Sequence, residues 1–168
     1  MRSMSSDRFQ ELLLNATGET LYMVLLAALF TVAIGLPVGV LLFLTRPQGV
    51  LPSRAISLLL NALVNTGRAL PFVGLLIALI PFTRLLVGTT LGSTAAIVPI
   101  TLGAFPFFAR IVENALDEVD RGRIEAVVSM GGTLWHIVSR VLLPEALPAL
   151  VAGITLTIVM LIGFSAMA

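Results

Sequence analysis

The chain has 168 residues, 58% hydrophobic and 11% charged, with a mean hydropathy of +1.06. A soluble domain of this size still exposes about a third of its surface, so lipid must be the main solvent of so apolar a chain. The net charge is +1, all ten basic residues are arginine, and no basic tract marks a nucleic-acid partner; without cysteine there are no disulfides, thiolate metal sites, cysteine nucleophiles or lipidated cysteines.

Residues 1–19 mix Arg2, Arg8, Asp7, Glu11 and Glu19 and are expected to form an external N-terminal tail. The first apolar run, 20–44, is too long for a secretory signal, whose apolar core is only about 7–15 residues, and reads as a retained span. Within it lies Gly35-Leu36-Pro37-Val38-Gly39. Pro37 predicts a bend, and Gly35 and Gly39 form a small-xxx-small face on which another helix can pack closely.

A second span is predicted over 56–80, interrupted by Asn61, Asn65 and Arg68. Arg68 either snorkels towards the cytoplasm or lines a polar path. Pro71, Pro81, Pro99 and Pro106 punctuate this span and the third, 91–109, and such interruptions are common where helices surround a transport route. A fourth span is expected over 145–167. Each run reaches the roughly 20 residues needed to cross a hydrocarbon core of about 30 Å. Backbone groups in lipid must be paired within the segment, so the expected fold class is an all-α integral membrane bundle of about four spans.

Arginine distribution orients the bundle. Arg46 and Arg54 flank the first connection, and Arg110, Arg121, Arg123 and Arg140 lie in the long segment 110–144. In a four-span chain these segments share a side, and the positive-inside rule places both in the cytoplasm and the N-terminus outside.

In the long segment, Ile111, Val112, Ala115, Leu116 and Val119 keep helical spacing, so the third helix is predicted to run beyond the membrane. Asp120 is positioned to cap a helix over Gly122–Met130, Gly131-Gly132 to break it, Thr133 to cap a second over Leu134–Leu143, and Pro144 to stop it. Two short helices about a glycine corner make a protruding knob suited to a partner's groove.

Glu125-Ala126-Val127, Gly131 six residues after the glutamate, and Val141-Leu142-Leu143-Pro144 resemble the EAA loop of binding-protein-dependent ABC importers, with Val127 and Val141 as conservative departures. Further strings are similar to the methionine-importer permeases: Gly35–Leu42, Thr45-Arg46-Pro47, Pro81–Arg84, Ala95–Pro99, Glu113–Leu116 and Leu143–Pro148. The resemblance implies a type I ABC importer permease that moves an amino acid, D- or L-methionine, across a bacterial cytoplasmic membrane. Residues 20–168 would be its transmembrane domain, with a coupling loop over about 110–144. Glu125, Ala126, Gly131, Leu143 and Pro144 would dock on the ATP-hydrolysing subunit. Without the pattern, Glu125 reads as a solvated helix residue beside Arg121.

The implied partners are a second copy of the chain, a cytoplasmic ATPase dimer and an external substrate-binding protein, with ATP and Mg used by the ATPase and no cofactor held here. A P-loop needs a lysine, and this chain has none, so ATP chemistry belongs to another polypeptide. His136 has no Cys, His or carboxylate at ligand spacing, which argues against a metal site, and no catalytic grouping marks an enzyme. Gly153, Thr155, Thr157 and Gly163 in the fourth span read either as packing residues or, with Phe164, Ser165 and Met167, as part of a path that Phe164 and Met167 close between the two copies. The chain stops at Ala168 directly after an apolar span, whereas the permeases it resembles continue through one more helix, so a fifth span is expected to be missing. A permease for another amino acid or small solute is the first alternative; an ion-coupled carrier is a second, but carriers place acidic residues or histidine inside a span, which is not the pattern here. A non-transporting scaffold that recruits an ATPase is the third.

Overall fold

The computed structural model describes residues 6–168, and the regular structure among them is entirely helical. Helix α1 (Ser6–Thr45) runs unbroken through Pro37. The expected external tail is therefore, from Ser6 onward, the first turns of this helix; residues 1–5, with Arg2, lie outside the described residues.

The second expected span is broken rather than continuous. Helix α2 (Arg54–Ala69) stops at Leu70, which is extended at φ −77°, ψ 132°, and α3 (Phe72–Ala78) leaves at 108° to it. Pro71 is the cause: its ring disfavours the helical conformation at the preceding residue, and it has no N–H to continue the ladder. Helix α4 (Ile80–Val87) follows and ends on Gly88, whose φ of 81° suits glycine. Among the described residues three helices are long and apolar enough to cross a membrane, or four spans if the bent pair counts as one.

Helix α5 (Ser93–Asp117) is the centre of the bundle: 61% of its most apolar stretch is buried, against 33% for α1. It lies parallel to α1, because Gly35 meets Phe108, Gly39 meets Val112 and Arg46 meets Asp117 in step along both helices. Helix α2 runs the other way, with Gly67 against Pro106 and Asn61 against Arg110. So does the last helix, α8 (Leu143–Ser165), whose Gly153 meets Ile111 and whose Phe164 approaches Gly103. Glycine at these crossings removes the β-carbon that would hold the helices apart. Among the described residues three buried clusters result, one around Phe43, Phe108, Leu116 and Leu142 at the loop end, one around Ala27, Ile97, Ile100 and Leu161 at the opposite end, and a small one of Leu42, Val64 and Ala109.

At the loop end come α6 (Arg121–Ser129) and α7 (Leu134–Ile137), then a π-helical turn, Val138–Leu142, that leads into α8. Pro144 does not stop the helix as expected. It sits in the first turn of α8, and the Leu143 N–H reaches back to the Val138 carbonyl across the wide turn. A π turn shifts the hydrogen-bond register by one residue, which accommodates the proline's missing donor and its ring without ending the helix.

Candidate functional site

The knob at the loop end is built from local chemistry. The Asp120 carboxylate accepts the Gly122 N–H at 2.6 Å and starts α6. Gly131 takes φ 76°, its N–H donating to the Val128 carbonyl at 3.0 Å, and Gly132 donates to the Val127 carbonyl at 2.8 Å. The chain thus reverses tightly at the corner, and a β-carbon on Gly132 would collide with Val127. Helix α7 starts with a reciprocal cap, in which the Thr133 N–H donates to His136 Nδ1 at 3.3 Å. The histidine is therefore a capping group, a role that its spacing from Thr133 makes legible.

Polar struts fix the knob to the spans. Arg46, at the end of α1, pairs with Asp117 at the end of α5 and lies over the Phe43 ring, 4.2 Å from its centre. Arg123 of α6 pairs with Glu145 of α8, and Arg121 donates to the Gln48 side chain at 3.3 Å. The inner side of α6 is apolar, with Ile124 buried beside Leu116, Ile137 and Val141. Its outer side leaves Glu125, Ala126 and Val128 exposed, next to Met130 at 79% and Trp135 at 74% exposure. Sequence reasoning missed this exposed pair. The signal was available: two large apolar residues flank the glycine corner, off the stripe that faces the core.

The predicted residues divide between the two arms of the knob. Glu125 and Ala126 lie on α6 and Gly131 at the corner, all exposed; Leu143, half-buried against the core, and exposed Pro144 lie beyond the π turn at the start of α8. Glu125 lines a groove of about 500 Å³ between α6 and the 43–50 segment, together with Arg46, Val50, Arg121 and Val128. Among the described residues Arg121 does not pair with Glu125; it turns to Gln48 instead.

Of the predicted path residues, Phe164 stacks on Phe72 with ring centres 4.0 Å apart and planes 5° from parallel. The Ser165 hydroxyl donates to the Ile162 carbonyl at 2.8 Å, and Met167 follows the end of α8 with 62% exposure. Thr155 and Thr157 donate to carbonyls of their own helix, Val151 and Gly153. Two arginines lie where α2 meets α5. Arg110, at the head of the 110–144 segment, lies within α5, which runs on to Asp117 as the helical spacing predicted; it pairs with Glu113 and donates to Asn61 at 2.9 Å and Asn65 at 3.0 Å. Arg68 lies in the last turn of α2 next to Gly67, which packs on Pro106 near the middle of α5 rather than towards the loop end.

Residues 35–168 match the family described as binding-protein-dependent transport system inner membrane component. The probable D-methionine transport system permease protein MetI of Pasteurella multocida is 55% identical over 163 residues, covering 97% of this chain and 75% of that protein. The D-methionine transport system permease protein MetI of Escherichia coli K12 is 50% identical over 162 residues, covering 96% of this chain and 75% of its own length. An inward-facing crystal structure of the MetNI methionine ABC transporter superposes with a TM-score of 0.94 at 50% identity, over 98% of this chain and 76% of that one. An amino acid ABC transporter with histidines shares the fold, with a TM-score of 0.72 at 20% identity.

Proposed function

The chain belongs to the family of binding-protein-dependent transport system inner membrane components, and from that premise we propose that it is the permease that carries methionine into the cell. It is a multi-pass membrane protein, and its place is the cytoplasmic membrane of a bacterium, with the knob inside. The observation that carries this reading is the likeness to the methionine transporter, 0.94 in TM-score at 50% identity over 98% of the chain. At that TM-score the helix packing is shared, and half of the side chains are identical.

The functional unit is two copies of the chain, joined to a cytoplasmic ATPase dimer and served by an external binding protein. Hydrolysis of ATP with Mg takes place on the ATPase. Residues 1–19 lie at the external end, 20–168 form the transmembrane domain, and the coupling loop lies within 110–144. Glu125, Ala126 and Gly131 offer the ATPase a small, close-approach surface with one carboxylate, and Leu143 and Pro144 tie that surface to α8. The arginine struts make the knob and the spans one lever. A rigid displacement at Glu125 therefore reaches the connection after α1 through Arg121 and Gln48, and α8 through Arg123 and Glu145, the kind of packed, discrete coupling that alternating access requires. Phe164, Ser165 and Met167 belong to the path.

The test is uptake of radiolabelled methionine by liposomes that hold the complete permease and its ATPase, with binding protein outside and ATP inside. ATP-dependent uptake of methionine above that of other amino acids is expected. Uptake driven by an ion gradient without ATP would overturn the reading.

A further inference from the structure

Arg121 and Glu125 stand one turn apart on α6, the spacing at which opposite charges pair on a helix. Yet Arg121 turns to Gln48, and among the described residues Glu125 makes no ion pair; the pairs there are those of Arg46, Arg110 and Arg123. Both unpaired charges line the groove of about 500 Å³ between α6 and the 43–50 segment. Arg46 lines it too, and only part of its guanidinium is used. Nη1 pairs with Asp117 and the plane lies over the Phe43 ring, but Nε is buried without an acceptor. Nη2 makes no hydrogen bond among the described residues. A buried donor without an acceptor is costly, so the free Nε–Nη2 edge marks a place for one.

Both walls of the groove are fixed. The connection after α1 folds back on the helix end: the Gly49 N–H donates to the Arg46 carbonyl at 2.8 Å, Leu51 to Leu44 at 3.0 Å and Ser53 to Thr45 at 3.1 Å. Gly49 lies so close that a β-carbon on it would stand 2.2 Å from the Leu44 carbonyl oxygen. The other wall, α6, is anchored by buried Ile124. Phe43, Val50, Ile124 and Val128 give the groove an apolar lining. Its depth follows from α1. Arg46 comes directly after the apolar run that ends at Leu44, so the groove lies at the level of the cytoplasmic headgroups. Leu51 and Ile56, both exposed, continue an apolar surface beside it.

We propose that this groove holds the headgroup of a cytoplasmic-leaflet phospholipid that carries a primary ammonium, as phosphatidylethanolamine does. The phosphate accepts from the Nε–Nη2 edge of Arg46 and from Arg121, the charge-assisted contacts that guanidinium geometry favours. The ammonium donates to Glu125, and the acyl chains leave over Val50, Leu51 and Ile56. Charge selects this class of lipid. With the Asp117 held by Arg46 counted, two arginines face two carboxylates. A zwitterion keeps that balance, an anionic headgroup adds an unmatched negative charge, and a trimethylated ammonium has no N–H for Glu125. A bound lipid braces the 43–50 segment against α6, the contact that Arg121 and Gln48 already make. The inference rests on the orientation with the knob inside and not on the identity of the cargo.

The experiment uses the complete permease with its ATPase in nanodiscs of equal parts phosphatidylethanolamine, phosphatidylcholine and phosphatidylglycerol. Native mass spectrometry counts the lipids that stay on the released complex. Phosphatidylethanolamine is expected to be retained about fivefold over either of the others, the order that one charged side chain contributes at a membrane surface. Arg121→Gln lowers its count by a similar factor, whereas Glu125→Gln leaves lipid bound without preference among the three. Arg54→Gln, at the same end of the bundle but outside the groove, changes neither. Equal retention of the three lipids by the wild type overturns the site whether or not the variants fold. Equal losses with Arg54→Gln and Arg121→Gln overturn it in favour of general surface charge. Displacement of the lipid by water-soluble glycerophosphoethanolamine assigns the groove to a free metabolite, and expulsion of the lipid when ATPase joins the permease assigns it to the ATPase; either result overturns the proposal. Methionine uptake without selective retention overturns the lipid site and leaves the transport reading standing. Selective retention without ATP-driven uptake does the reverse.

Discussion

Gly39 lies so close to Val112 that a β-carbon on it would stand 2.5 Å from the valine Cβ and 2.6 Å from the Ala109 carbonyl oxygen. The neighbouring atom is backbone, so it cannot turn aside, and α1 must move off α5. Gly39→Ala is expected to cost about 1–3 kcal/mol, the usual penalty of overpacking. Gly74→Ala, in open space, is expected to be tolerated. Thermal unfolding of the two variants in nanodiscs checks this; equal midpoints would mean that the parallel α1–α5 contact is not the tight crossing described.

Arg110 gives a second test. It joins α2 to α5 through Asn61 and Asn65 while pairing with Glu113, and both charged side chains are at least four-fifths covered. Arg110→Met leaves Glu113 without a partner, a loss that typically costs about 3–5 kcal/mol. The double change Arg110→Met with Glu113→Leu removes both charges and is expected to recover much of that stability. Limited proteolysis at the α2–α3 break reads out release of α2. If the single and double variants are equally unstable, the pair is incidental and packing around it holds the helices.

The bundle shows where the sequence was legible and where it was not. The apolar runs locate α1, α5 and α8, and Asp120, Gly131 and Thr133 foretell the knob because caps and corners are local chemistry. Gly35 and Gly39 foretell a close crossing, though not that its partner is a parallel α5. Proline was harder to read. Pro71 breaks a helix, Pro37, Pro99 and Pro106 do not, and Pro144 opens α8 just after a π turn. Whether a missing N–H ends a helix depends on tertiary support that no local window contains. The partners of Arg110 were hidden for the same reason, since only the packing of α2 on α5 brings Asn61 and Asn65 to it.

The knob variants separate docking from folding. At φ 76° Gly131 has open space around it, so Gly131→Leu strains the corner and places a bulky side chain on the exposed surface. Glu125→Lys reverses the charge on the same surface without touching the buried side of α6. Each variant is expected to insert and dimerise normally but to retain less than a tenth of its ATPase subunit on co-purification. Wild-type ATPase binding by both would remove the knob from the coupling mechanism.

Orientation is tested by single cysteines, since the chain has none of its own. Gly49→Cys forces a β-carbon onto the Leu44 carbonyl, so Gln48→Cys, exposed on the same connection, is the better probe. Cysteines at Gln48 and Trp135 are expected to be shielded from a membrane-impermeant maleimide in intact cells, and one at Leu91 to react. The opposite labelling pattern would invert the topology drawn from the arginines.

Phe164 and Met167 lie three residues apart on or just beyond α8, and their surroundings predict different phenotypes. Phe164 is stacked on Phe72 and packs against the buried cluster of Ile97, Ile100 and Leu161, so Phe164→Ala is expected to cost about 3–5 kcal/mol and to lower the melting temperature of the complex. Met167, 62% exposed in a single chain, makes no comparable contact within it, so Met167→Ala is expected to leave that temperature unchanged. If its flexible side chain instead fills the route between two copies, the change shows elsewhere. Leak of radiolabelled methionine through complexes held without ATP should rise several-fold, and ATP hydrolysed per methionine imported should rise with it. A double-cysteine control makes the geometry explicit, because Met167→Cys in both copies should crosslink across the pair under mild oxidation in the closed state. Unchanged leak, unchanged coupling and no crosslink would place the closure on another residue and leave Met167 as an exposed side chain with no part in transport.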